Sequence, residues 1–249
     1  MRLFCLLGLA GLIGLSTSRR QPAAVSAVRV PFKVGEKLEY QAKVNFVSAG
    51  KATMSVEDIV PIRGHPTYHT VFNIRGGILF FHVDDHYESW FDTTNLVSLH
   101  HVQHIDETKY STNKTYDFYP ERRVYVRNGG QENPSVAEPL DEGSFIYFMR
   151  SVPLEVGKTY SFDRYYHPDR NPVVIYVDRK EHIKVPAGEF DAIVVKPTIK
   201  SKGLFSENGQ AEVWFSDDST RTLLRLKSKL PVGTLYLELK NAEYAARPN

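Results

Sequence analysis

Several segments of this 249-residue chain occur twice, in the same order and at a near-constant offset of about 124 positions. Val30-Pro31-Phe32-Lys33-Val34-Gly35 is answered by Val152-Pro153-Leu154-Glu155-Val156-Gly157. Glu57-Asp58-Ile59 with Gly64 is answered by Glu181-His182-Ile183 with Gly188. Glu88-Ser89-Trp90-Phe91-Asp92 is answered by Glu212-Val213-Trp214-Phe215-Ser216, and the sequence has no other tryptophan. Three echoes in one order predict a duplicated unit. Gly35, Gly157, Glu88, Trp90, Glu212 and Trp214 are its anchors, with the tryptophans expected in equivalent core slots and each Glu-x-Trp-Phe marking a strand end.

Within each copy the hydrophobic period is two. Leu38-Tyr40-Ala42-Val44-Phe46 alternates up to Ser48-Ala49-Gly50, and Ala52-Met54-Val56 continues beyond it, which reads as a hairpin with its turn at 48–50. About twelve short strands follow between turn signals, among them a long one over 78–91 closed by Asp92-Thr93-Thr94-Asn95. One short helix is expected near 141–150: Asp141 can cap it, and Phe145, Phe148 and Met149 form one apolar stripe suited to core packing. The fold class is therefore all-β, a large antiparallel sheet curved into a barrel or half-barrel and built from two degenerate repeats. Curvature of that kind leaves fewer exposed edges than two separate lobes would.

The organisation along the chain follows. Residues 1–18 read as an export signal: Met1-Arg2 precedes an apolar run from Leu3 to Leu15, too short to span a bilayer, with cleavage sites after Ser18 or as far on as Ala27. Residues 19–29 form a polar tether. A single β domain covers 30–241, with repeat one at 30–127, a breaker-rich linker at 128–140, the helix, and repeat two at 152–241. The only cysteine, Cys5, lies inside the apolar run, so the mature domain has neither disulfides nor thiol chemistry and must draw its stability from its core. Lys+Arg 31 against Asp+Glu 29, with both signs interspersed, gives no electrostatic case for a nucleic-acid partner or for an anionic membrane surface. No integral membrane domain is expected once the signal is gone.

The stretch from Asp141 to Arg150 resembles a helix motif of the bacterial domain-of-unknown-function 3108 family. So do Val156-Gly157-Lys158, Ile183 to Phe190, Glu212 to Asp218, Val232-Gly233-Thr234-Leu235 and, in the first half, Tyr87 to Asp92. The likeness covers roughly residues 30 to 241. It departs at Glu142-Gly143-Ser144, where the family pattern has an apolar pair followed by Ser-Ala. The resemblance implies an exported, mostly β protein of the bacterial cell envelope, periplasmic or secreted. It implies no activity and transfers no catalytic residues.

Two constellations could carry chemistry. His82, Asp84 and His86 alternate and so share one strand face; a four-residue turn at 92–95 would pair Phe91 with Leu96 and set His86 opposite His101. His82, Asp84, His86 and His101 could then surround zinc or iron. The alternative is a solvated histidine face, since Phe81, Val83, Tyr87 and Phe91 on the other side look like core, and a one-residue slip would part the set. Glu88 and Glu212, related by the repeat, could act as paired carboxylates on a glycoside. No nucleophile elbow, phosphate loop, dinucleotide fingerprint or zinc-protease motif is present.

With 14 Tyr and 14 Phe on a curved sheet, binding of a lipid, another apolar ligand or an envelope partner on the concave face fits better than catalysis. Lys200 to Phe205 reads as a loop at the mouth of that concavity. A metal- or carboxylate-dependent hydrolase of envelope material and a purely structural interaction module are the two alternatives. No cofactor other than the zinc or iron above is expected.

Overall fold

The computed structural model describes residues 30–78, 80–200, 205, 210–230 and 233–244. The export segment, the tether and residues 201–204 of the expected mouth loop lie outside these residues. Fourteen strands are seen. They are β1 (Lys37–Val44), β2 (Val47–Ile62), β3 (His65–Ile78), β4 (Phe81–Asp92), β5 (Ser98–Glu107), β6 (Tyr110–Tyr119), β7 (Val124–Arg127) and β8 (Glu132–Pro134), then, after helix α1 (Glu142–Ser151), β9 (Thr159–Phe162), β10 (Val173–Val185), β11 (Gly188–Thr198), β12 (Glu212–Ser216), β13 (Leu223–Leu230) and β14 (Gly233–Glu243).

All fourteen belong to one antiparallel sheet in the order β8-β7-β6-β5-β4-β3-β2-β1-β14-β13-β12-β11-β10-β9. The two halves are thus joined through β1 and β14 into one curved sheet that does not close. Beside the end strands β8 and β9, the chain around Leu140 lies against 164–166. Leu140 N donates to Arg164 O at 2.6 Å, Tyr166 N to Leu140 O at 3.3 Å, and the Ser135 hydroxyl to Tyr166 O at 3.0 Å.

Alternation decides which side is inward. Leu38, Tyr40, Ala42 and Val44 of β1, and Ala52, Met54 and Val56 of β2, are all buried in one continuous core with Phe145, Phe148 and Met149 of the helix. Fully burying an aliphatic or aromatic side chain contributes about 1.5–3 kcal/mol, so this face holds the sheet and the helix together. The inward face is filled.

The echoed segments make matching contacts. Gly35 N donates to Val56 O (2.8 Å), Val56 N to Glu36 O (2.9 Å) and Glu36 N to Lys33 O (3.1 Å); Gly157 N donates to Val177 O (2.8 Å), Val177 N to Lys158 O (2.9 Å) and Lys158 N to Glu155 O (3.1 Å). Gly35 and Gly157 share a left-handed backbone, φ 84° and 81°, which glycine adopts without a Cβ penalty. Register shifts follow at Val56/Asp58 and Val177/Arg179, and again at Trp90/Phe91 and Trp214/Phe215. The tryptophans share a position but not an environment. Each shares its strand parity with Glu88 or Glu212; Trp90 is half-buried and stacks on His69 (4.4 Å), whereas Trp214 is buried as part of the core and its indole N–H donates to Glu181.

Two details depart from expectation. The first hairpin turns at Asn45-Phe46, not at 48–50: both residues have positive φ, 47° and 70°, the pair of left-handed residues that a two-residue hairpin of this twist requires. Asn accepts that conformation readily, but Phe46 adopts it at a cost on the order of 1 kcal/mol. Gly50 instead lies within β2 where it crosses β3; a Cβ there would stand 2.2 Å from Arg75 O. The linker, expected to be irregular, contributes the three-residue strand β8.

Candidate functional site

The densest polar constellation sits at the head of α1, where the helix meets the inward face of β4 and β5. Asp141 is the N-cap. Its Oδ1 accepts from Gly143 N (2.8 Å), Ser144 N (2.9 Å) and the Ser89 hydroxyl (2.7 Å), and its Oδ2 accepts from the Ser98 hydroxyl (2.7 Å). Ser144 completes a capping box by accepting from Asp141 N at 2.9 Å. Gly143 lets the helix approach the sheet, because a Cβ at that position would stand 2.3 Å from Ser89 Oγ. Gly143 and Ser144 thus help Asp141 fasten this helix to this sheet.

His101 lies beneath the cap and is wholly buried. Its Nδ1 is 2.7 Å from Glu88 O and 3.0 Å from Ser89 Oγ; its Nε2 is 3.0 Å from Gln103 Nε2 and 3.4 Å from Glu142 Oε2. Burial disfavours the charged imidazole, but the carboxylates of Asp141 and Glu142 outweigh it and raise the His101 pKa above its ordinary 6.5. Glu142 keeps 39% of its side chain exposed while its carboxylate points back into the cluster, where Tyr165 donates to it at 2.8 Å. Desolvation works against its charge; the His101 hydrogen bond and charge, with the Tyr165 hydroxyl, overcome that and hold its pKa at about 2.

Serine, histidine and aspartate side by side suggest a nucleophile, and the proton positions exclude it. A carbonyl oxygen can only accept, so the contact with Glu88 O fixes the proton on Nδ1, the same nitrogen that faces Ser89. Ser89 spends its own proton on Asp141. His101 therefore cannot take the serine proton, and Ser89, His101 and Asp141 are all essentially out of solvent. The cluster fastens α1 to the sheet.

The expected metal set does not assemble. The β4–β5 connection is two residues longer than a turn over 92–95 and adds a bulge, so Phe91 pairs with Ser98, His86 with His104, and His101 with Ser89. That displacement of three is odd and puts His101 on the opposite face from His86. The apolar Leu96 and Val97, buried at 1% and 3% exposure, hold the longer connection in the core. His82 contacts Thr108 and Asp106, Asp84 binds Arg75, and His86 lies between Asn73 and Glu88. No group of three or more ligating side chains suited to a metal ion is found among the described residues.

On the outward face Glu88 accepts from His69 Nε2 (2.6 Å) and His86 Nε2 (3.0 Å). Burial raises its pKa, yet the two imidazoles outweigh that and lower it. Glu212 binds Lys227 (2.7 Å) and Arg179 (3.4 Å) instead. Six strand positions separate the two glutamates, about 29 Å along the sheet, against the roughly 5–10 Å that paired glycosidic carboxylates need.

Sequence reading missed Ser89, Gln103, Glu142 and Tyr165 as members of the buried cluster, and His69 as the partner of Glu88. Ser89 had a signal: it shares its parity with Tyr87 and Phe91, so a hydroxyl had to be satisfied on the inward side. Outside the core two open recesses have mixed polar and apolar linings. One of about 260 Å³ is lined by Lys51, Thr53, Asn73, Arg75 and Asp84, and one of about 460 Å³ by residues including Lys196, Gln210, Glu212 and Lys227. No described helix is long and apolar enough to cross a membrane.

Fold and site together define a β-barrel-like protein with a helix latched to its inward face. The chain belongs to the family described as "Protein of unknown function (DUF3108)", whose sequence profile matches residues 39–240. Among solved structures it is similar to a β-barrel-like protein of domain of unknown function DUF1849 from Brucella abortus, with TM-score 0.55 at 10% identity, covering 88% of this chain and all of that one. A candidate lipoprotein from Parabacteroides distasonis superposes with TM-score 0.34 at 14% identity over 86% of this chain and 98% of that one, too distant to bear on the fold. No curated protein matches the chain.

Proposed function

We propose that this is an exported, non-enzymatic protein of the cell envelope, periplasmic or secreted, that works by binding an apolar ligand or an envelope partner. The reading of export rests on the N-terminal apolar run from Leu3 to Leu15 behind Met1-Arg2. One observation carries the binding reading: the inward face is spent on core and helix, while large apolar side chains, Phe46 at 77% and Phe80 at 94% exposure among them, are displayed outside. Binding on the concave face, the first expectation, is less well supported, because that face is packed. The same filled interior favours a structural interaction module as the second reading.

Native mass spectrometry of the protein released gently from its own cells tests this. The expected result is a folded species carrying lipid or partner mass. Repeated recovery of the bare chain, together with hydrolysis of envelope material by the pure protein, overturns it.

A further inference from the structure

In an antiparallel meander alternate turns share one rim. The β1–β2, β3–β4 and β5–β6 connections share one rim, with Phe46, Phe80 and Tyr110 at or beside their tips and Tyr236 of β14 alongside Phe46. Neighbouring tips are fastened. Asn45 N donates to Thr234 O and Thr234 N donates to Asn45 Oδ1, both at 2.9 Å; the Thr108 hydroxyl donates to Phe80 O at 3.3 Å. Glycines at 50 and 76, opposite one another, let β2 and β3 approach closely just below this rim.

Phe46 stands out twice. It occupies a left-handed turn position where glycine is favoured, and it holds a ring 77% exposed against Tyr236, with centroids 5.0 Å apart. The left-handed position works against the fold, and most of the ring is left in solvent. The charges beside it have one sign left over: Lys43 is paired with Glu238 and Arg75 with Asp84, while Lys51 and Lys229 are exposed with no carboxylate partner among the described residues.

From this geometry we propose that this rim docks on a lipid bilayer, Phe46 and Phe80 entering the headgroup and acyl boundary while Lys51 and Lys229 meet anionic headgroups. Protruding aromatic tips flanked by lysines match an interfacial lipid surface. A protein partner would more naturally be met by a groove, which these convex tips do not form. The inference rests on the binding role proposed above and names its surface and chemistry.

Sedimentation of the protein, purified from its own cells, with vesicles of phosphatidylethanolamine and phosphatidylglycerol tests it. The native chain is expected to bind, and to bind phosphatidylcholine vesicles several-fold less. Phe46→Gly, which relieves the left-handed turn and so retains the fold, is expected to lose at least tenfold in partition, and Lys51→Glu with Lys229→Glu to abolish the preference for anionic lipid. Equal binding by the native chain and Phe46→Gly, or no vesicle binding at all, overturns the proposal. A native-mass species with a bound protein partner but no vesicle binding would leave the broader binding role standing and remove this one.

Discussion

Arg150 meets Glu36 end-on through both terminal nitrogens, Nη1 to Oε1 at 2.6 Å and Nη2 to Oε2 at 2.8 Å, with neither side chain more than 2% exposed. Nη2 also donates to Thr220 O, and the guanidinium lies near the rings of Phe32 and Tyr147. The pair therefore ties the last turn of α1 to the start of β1 and to the β12–β13 connection. Arg150→Met leaves a buried carboxylate without its partner and is expected to cost about 3–5 kcal/mol in urea denaturation. Adding Glu36→Leu should recover most of that loss; a double variant as unstable as the single one would show that the pair is not the source.

Asp141 is the helix cap and also the acceptor for two buried hydroxyls. Asp141→Ala loses the cap, typically about 1 kcal/mol, and leaves Ser89 and Ser98 short of an acceptor at about 1–3 kcal/mol each, so a total above about 3 kcal/mol is expected. Asp141→Asn keeps one acceptor and should fall well short of that. Equal losses in thermal melts of the two variants would contradict this account.

The cluster beneath the cap links stability to pH at both ends. His101 has a folded pKa above 6.5, so its contribution is complete below about pH 6.5 and is lost as pH rises through the higher folded value. Glu142, at about 2 in the folded state against 4.5, contributes above pH 4.5 and loses that contribution as pH falls towards 2. Urea denaturation across pH should show His101→Asn flattening the alkaline decline and Glu142→Gln flattening the acid one. Variants that parallel the native profile would place the linkage elsewhere.

Close approach of backbones, rather than backbone angle, makes Gly76 indispensable. A Cβ there would lie 2.0 Å from Ala49 O, whereas at Gly64, φ 85°, it would meet nothing within 4 Å. Gly64→Ala is expected to cost only about 1–2 kcal/mol of left-handed strain. Gly76→Ala must displace β2 from β3 and should be clearly the more destabilising by differential scanning calorimetry; the reverse order would mean the two strands separate there at no cost.

Much of the fold was legible in the chain because its causes are local. Alternation such as Leu38-Tyr40-Ala42-Val44 sets strand and inward face, and Asp141 followed by the Phe145-Phe148-Met149 stripe sets a capped helix packed on the core. The Val-Pro-x-x-Val-Gly echoes marked two places that proved to make the same three hydrogen bonds, since a glycine with positive φ leaves a recognisable imprint on sequence.

Register was not legible. Whether β4 and β5 meet with His86 or Ser89 opposite His101 depends on how many residues the connection spends before pairing resumes, and burial of Leu96 and Val97, a contact with distant parts of the chain, decides that number. An odd shift exchanges faces, so one tertiary choice turned an expected surface metal site into a buried fastening. Sequence by itself determined what each residue could do and which strand it would occupy; only the tertiary structure decided which residues would stand opposite one another, because pairing is fixed by the packing of the whole sheet and not by any one segment.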